Sequence, residues 1–182
     1  MKKIVFFMLI TIASIFSQEI EKNTIFELHG GASMLLDENN ENVDFGFNYG
    51  ITWLGKINPN VSIGGSASFN RWSEEMEFIF MDLTSMDIKV IQKYYEWIGL
   101  LRISGARING NYTFAQFGAG LYRGVTETTI NRVKDISPEN NFGFNISGGF
   151  VLKNFLIHPS YKYVFADKKD IKWLGLIIGV SI

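Results

Sequence analysis

His158 and Ser160 form an H-x-S pair on an alternating stretch, the one enzymatic lead in the chain. Acyl transfer needs a base that is itself oriented by an acid. No glutamate follows between Tyr161 and Ile182, and the only acids there are Asp167 and Asp170. The alternation also sets the pair on the small, polar face of its segment, where the other reading is two small polar interior residues. His29 and His158 are the only histidines, and the chain has no cysteine, so a zinc site would have to recruit carboxylates. No metal and no cofactor are expected. The glycine pairs Gly30-Gly31, Gly64-Gly65 and Gly148-Gly149 are followed by no Lys-Ser/Thr, so they do not read as phosphate loops.

A second group of residues carries charge rather than catalysis. Glu27, Asp44, Glu96, Arg102 and Lys162 all fall in phase with the small polar residues of their segments. Charges inside a narrow, lipid-surrounded barrel persist only when paired. Arg102 and Lys162 are therefore expected to meet Glu27 and Glu96 across a lumen. Such a network reads either as a structural plug or as the gate of a narrow conduit.

The elements that would position these residues are strands. Period-two alternation recurs in eight segments: 24–36, 43–55, 61–72, 94–108, 111–124, 141–153, 154–165 and 172–182. The second is the clearest, with Val43, Phe45, Phe47, Tyr49, Ile51 and Trp53 on one face. Asp44, Gly46, Asn48, Gly50 and Thr52 make the other. In the fourth, Ile98 and Leu100 weaken the pattern. In the fifth, Tyr112 and Phe114 fit one phase and Phe117, Ala119 and Leu121 the other, which places a bulge near Ala115–Gln116. The last segment sets Leu174, Leu176, Ile178, Val180 and Ile182 on one face. On a soluble protein that would be an exposed hydrophobic edge, whereas pairing with the first strand closes a barrel.

The connections alternate in length. Asn58-Pro59-Asn60, Asn109-Gly110 and Lys153-Asn154 are tight turns, while 37–42, 73–93, 125–140 and 166–171 are longer and more charged. Asn-Gly between alternating segments is a hairpin signal, because both central positions adopt positive φ. Short turns at one end and long loops at the other describe an up-and-down membrane barrel. Its bulky face would meet lipid. Trp53, Trp72, Trp97, Trp173, Tyr95, Tyr112, Tyr122 and Tyr163 fall toward strand ends, where interfacial girdles sit. The expected fold class is all-β: an eight-stranded antiparallel up-and-down transmembrane β-barrel.

Composition agrees. Apolar residues make up 47% and aromatics 15%, with 18 glycines against 3 prolines, a mixture suited to many strands. Lys2 and Lys3 precede an apolar run from Ile4 to Phe16, followed by Ser17, which describes a secretory signal peptide over residues 1–17 and a barrel domain over 18–182. Without those two lysines, 15 basic side chains face 18 acidic ones. A net charge near −3 argues against a nucleic-acid partner.

Strands rich in glycine and aromatics, such as Phe142-Gly-Phe-Asn-Ile-Ser-Gly-Gly-Phe150, together with the alternating C-terminal strand, resemble the small outer-membrane barrels of the OmpA/OmpX-like superfamily. The resemblance spans Thr24 to Ile182 and is one of pattern. It implies residence in the bacterial outer membrane, contact with outer-membrane lipid, and recognition of the C-terminal strand by the barrel-assembly machinery, although Ile182 stands where the family usually has Phe or Trp. The H-x-S pair resembles the strand motif of the lipid A deacylases, also eight-stranded barrels, but the downstream glutamate of that motif is missing. The implied role is structural or surface interaction in the envelope, with a narrow porin-like channel as the alternative and lipid A acyl hydrolysis as an outsider. The 73–93 loop carries Glu74, Glu75, Glu77, Asp82 and Asp87 around Phe78-Ile-Phe-Met81, and its alternation partly continues. It is expected either to extend as a hairpin that meets a surface ligand or to remain a solvated acidic loop.

Overall fold

The computed structural model describes residues 23–36, 45–79, 85–130, 133–167 and 169–182, and only the backbone course of 74–79 and 85–87. Residues 1–17, read as a signal peptide, and Asp44, read as a lumen charge, lie outside the described residues.

Eight strands form one closed barrel in chain order, every neighbour antiparallel. They are β1 (Thr24–Leu36), β2 (Phe45–Asn58), β3 (Val61–Ile79), β4 (Ser85–Ser104), β5 (Tyr112–Ile130), β6 (Val133–Leu152), β7 (Phe155–Phe165) and β8 (Ile171–Ser181). Pairing followed from Thr24 through Gly55, Ile63, Leu101, Phe117, Ile146, Tyr161 and Leu174 returns to β1 at Met34, ten residues further on. That stagger tilts the strands and fixes a bore narrow enough for side chains to fill. The seam between the first and last strands is bonded to its end. The Phe26 amide donates to the Ile182 carbonyl at 3.1 Å, and the Ile182 amide to the Phe26 carbonyl at 2.8 Å.

The tight turns have the chemistry their sequences call for. Asn109 and Gly110 take φ of 52° and 83°, as a two-residue hairpin turn requires. The Asn58 side chain accepts from the amides of Asn60 at 2.9 Å and Val61 at 2.8 Å, an Asx turn that closes β2 onto β3. A register shift at Lys56/Asn58 accompanies it.

Three sequence expectations are corrected. First, no bulge interrupts β5 at Ala115–Gln116: Gln116 pairs in register with Arg102 and Ser147, and Ala115 with Ile103 and Gly148. Alternation is unbroken, and Tyr112 and Phe114 simply point into the lumen, where they pack with Val151 and Leu156. Second, the strands outgrow the sequence segments. The stretch 125–140, read as a loop, is largely strand, while the strands over 73–93 follow the hairpin reading of that stretch. Third, of the eight aromatics expected in a girdle, Trp53, Tyr95, Trp97 and Tyr163 are on the outer wall, whereas Trp72, Trp173, Tyr112 and Tyr122 are buried inside. The lumen is thus less purely small and polar than the alternation suggests.

Candidate functional site

The lumen is filled in layers, and each layer follows from which residues share the inward phase. At the turn end lie Tyr112, Phe114, Val151 and Leu156. Just above them Arg102 of β4 reaches Glu27 of β1, with Nη1 2.5 Å from Oε1 and Nη2 2.7 Å from Oε2. This is a two-pronged pair, the strong geometry for guanidinium and carboxylate. Two further donors of Arg102 go to Gln116 Oε1, at 2.9 Å from Nε and 2.7 Å from Nη2. The guanidinium carbon also lies 4.3 Å from the centroid of the Phe114 ring. Both charges are buried, so their neutralisation within the protein is what makes burial tolerable.

Further up, Lys162 of β7 sits 2.8 Å from both carboxylate oxygens of Glu96 on β4. Ser68 Oγ donates to Glu96 Oε2 at 2.8 Å, and the Asn70 side-chain amide donates to Oε1. In each ion pair the partners stand three strands apart around an eight-stranded wall, so each spans the bore. The four described members of the sequence-derived charge group, Glu27, Glu96, Arg102 and Lys162, are thereby brought together as two separate pairs.

Above the upper pair the bore is capped by rings. Trp173 meets Trp72 at 5.3 Å, Tyr94 at 5.5 Å and Tyr122 at 5.9 Å between centroids. Lys162 Nζ lies 5.7 Å below the Trp173 ring, and Tyr94 Oη donates to Glu139 at 2.9 Å on the outer side. Edge-on and tilted contacts of this kind stabilise beyond their buried area. Sequence reasoning missed this lid, together with Gln116, Ser68 and Asn70. Phase could have found it: Trp72 follows Ser68 and Asn70 at every second position, and Tyr94 precedes Glu96 in the same way.

His158 and Ser160 both project into the lumen. The His158 ring stands edge-on to Phe114 at 5.5 Å, and neither His158 Nδ1 nor Ser160 Oγ has a hydrogen-bond partner among the described residues. The loop acid Asp170 accepts from the Tyr163 hydroxyl instead. The other histidine, His29, lies 3.3 Å from Thr52 Oγ1 through Nε2. No group of three or more His, Cys, Asp or Glu side chains that could hold a metal occurs among the described residues.

Outside the bore, Glu127 on the outer reach of β5 receives Lys93 at 2.5 Å and Lys134 at 3.0 Å. The hydrogen bonds from Lys93 and Lys134 hold its carboxyl below the usual glutamate range. A depressed value means that this contact contributes fully above the ordinary carboxylate pKa and is lost as pH falls through the lowered one. We expect the Glu127 side-chain carbon, followed by NMR titration, to shift with a midpoint below that of a free glutamate. Lys93→Gln should move that midpoint back up, and an unmoved midpoint would contradict the pairing.

No known family profile and no curated protein matches the sequence. In three dimensions the chain is similar to Ail, the attachment invasion locus protein of Yersinia pestis, at 18% identity and a TM-score of 0.54, over 90% of this chain and 100% of that one. A second structure of Ail, in complex with the heparin analogue sucrose octasulfate, matches at 18% identity and a TM-score of 0.53, over the same 90% and 100%. Neisserial surface protein A matches at 13% identity and a TM-score of 0.56, over 87% of this chain and 96% of that one. The fold of this chain is that of the small eight-stranded outer-membrane β-barrels.

Proposed function

We propose that the chain is a bacterial outer-membrane barrel whose lumen is a structural plug and whose work is done at the surface. The observation that carries this reading is an asymmetry of length. Strands β3 to β6 run 19 or 20 residues, against 11 to 14 for β1, β2, β7 and β8. Pairing of β4 with β5 continues from Tyr95↔Arg123, at the end of the apolar belt, to Ile88↔Ile130. That is an overhang of roughly 20 Å along the strands. Nothing in the bore requires it, and a sheet standing clear of the membrane offers faces and an edge to a partner. The name of Ail marks attachment and invasion, and a surface-contact role for this chain is consistent with the shared barrel. Insertion through the assembly machinery, by way of the C-terminal strand, belongs to the same reading.

The test has two arms. Planar bilayers loaded with the folded chain should show no conductance steps, and discrete steps would favour the narrow channel. Deleting 126–137 and closing the hairpin with Asn-Gly should leave heat-modifiable gel migration intact and the urea midpoint nearly unchanged. Loss of folding in that variant would make the overhang part of the barrel's own scaffold instead.

A further inference from the structure

The outer wall carries a row of cations that the lumen does not use. Arg71 on β3 and Lys93 on β4 are direct register partners, and Arg123 on β5 lies opposite Tyr95, one diagonal step from Lys93. All three share the outward phase of Phe69, Tyr95 and Leu121, and they stand just beyond those residues at the outer end of the apolar belt. Like charges placed opposite one another across a strand pair repel. The described residues relieve this only in part. Glu127 is shared between Lys93 and Lys134, and Arg71 and Arg123 have no acidic partner among the described residues.

Below Arg71 and Lys93, toward the middle of the belt, the wall is hollowed into a trough of about 840 Å³ that runs from β4 through β3, β2 and β1 to β8. Gly30 and Ala67 give it a shallow floor, and Ile51, Trp97 and Ile178 line its sides. Its upper wall is an aromatic run, with Tyr49 to Phe69 and Phe69 to Tyr95 both 5.1 Å between ring centroids. A cationic row at the head of an apolar trough matches one kind of molecule, an amphiphile with an anionic head and an acyl chain. A second copy of the barrel could cover the trough, but it would bring its own cations to the same membrane depth.

From this juxtaposition we infer that Arg71, Lys93 and Arg123, with the trough beneath them, form a seat for a phosphate-bearing acyl lipid of the outer leaflet. The phosphate lies on the guanidinium groups, which match its oxygens two at a time, and a chain lies along the trough. The inference rests on the envelope placement proposed above.

Trp97 reports the trough directly. Of the four tryptophans, Trp72 and Trp173 are inside the bore, so Trp53→Phe leaves Trp97 as the one on the outer wall. That variant of the mature chain would be refolded into phosphatidylcholine vesicles containing brominated-chain phosphatidic acid or, at equal mole fraction, brominated-chain phosphatidylcholine. We expect phosphatidic acid to quench Trp97 preferentially, with a relative affinity that falls about fivefold for each cation removed, so that Arg71→Gln/Arg123→Gln brings it close to one. Millimolar inorganic phosphate should not reverse the preference. Equal quenching by the two lipids, or a preference that survives the double substitution, overturns the inference. Reversal by free phosphate does the same by making the row a site for a soluble anion. A Trp97 shielded from both lipids would give the trough to a second copy. The companion Trp97→Phe protein, which reports Trp53, separates the two layers of argument: if Trp53 is also unquenched, the barrel is not in the bilayer and the envelope reading fails with the lipid seat.

Discussion

Arg102→Met should destabilise the refolded barrel by about 3–5 kcal/mol, the range seen when one member of a buried ion pair is removed. The substitution keeps an unbranched chain of similar reach but leaves Glu27 buried with no cation beside it, and strips Gln116 of its two hydrogen bonds. Urea titration in lipid vesicles, read by heat-modifiable migration, measures the loss. Removing the carboxylate as well, in Glu27→Met/Arg102→Met, should recover most of it, since well-packed apolar replacements of a buried pair are often neutral or stabilising. The coupling from the double-mutant cycle then isolates the pair. A single substitution costing under about 0.5 kcal/mol, within the range of an ordinary surface change, would show that the pair does not hold the walls together.

Trp173→Ala is the second large effect. The ring is fully buried and touches Trp72, Tyr94 and Tyr122 at once, so its loss removes the centre of the lid. Truncating a buried tryptophan to alanine costs about 3–5 kcal/mol. The lid also makes a functional prediction. With Trp72→Ala added, the outer closure of the bore is gone, yet the Glu27–Arg102 and Glu96–Lys162 pairs still cross it. We therefore expect the double variant to remain silent in planar bilayers, because both pairs and the turn-end layer of Tyr112, Phe114, Val151 and Leu156 still fill the bore. Conductance on removal of the lid alone would assign the closure to the rings and not to the ion pairs.

The two effects also show what the sequence makes legible. Strict alternation from Phe45 to Trp53 in β2 exposes its register because there one face is bulky and the other small or polar. The phase of Glu27, Glu96, Arg102 and Lys162 puts them on the polar face, and opposite signs in a low-dielectric bore leave few arrangements. Residue type misleads where it conflicts with phase. Trp72 and Trp173 look like girdle residues by type, but their positions are in step with Asn70 and Gly175, and phase decides. Tyr112 and Phe114 look like a slipped register for the same reason. The β5–β6 part of the overhang is hidden for a different cause. Outside the membrane neither face must be apolar, so Val133 to Asn140 loses its alternation while keeping its pairing with β5. The polar partners Gln116, Ser68 and Asn70 are set by the stagger of the barrel, which no local pattern encodes.

Orientation of the wall is the claim on which the rest stands, and adjacent isoleucines on β8 test it most directly. Ile177 is 4% exposed and faces the bore, while Ile178 is 44% exposed and faces outward. With the protein methyl-labelled in lipid nanodiscs, NMR cross-relaxation from acyl-chain methylene protons should reach the δ1 methyl of Ile178 strongly and that of Ile177 hardly at all. Equal transfer to both methyls, or transfer to Ile177 in place of Ile178, would contradict an outward apolar face and, with it, the barrel's place in a membrane.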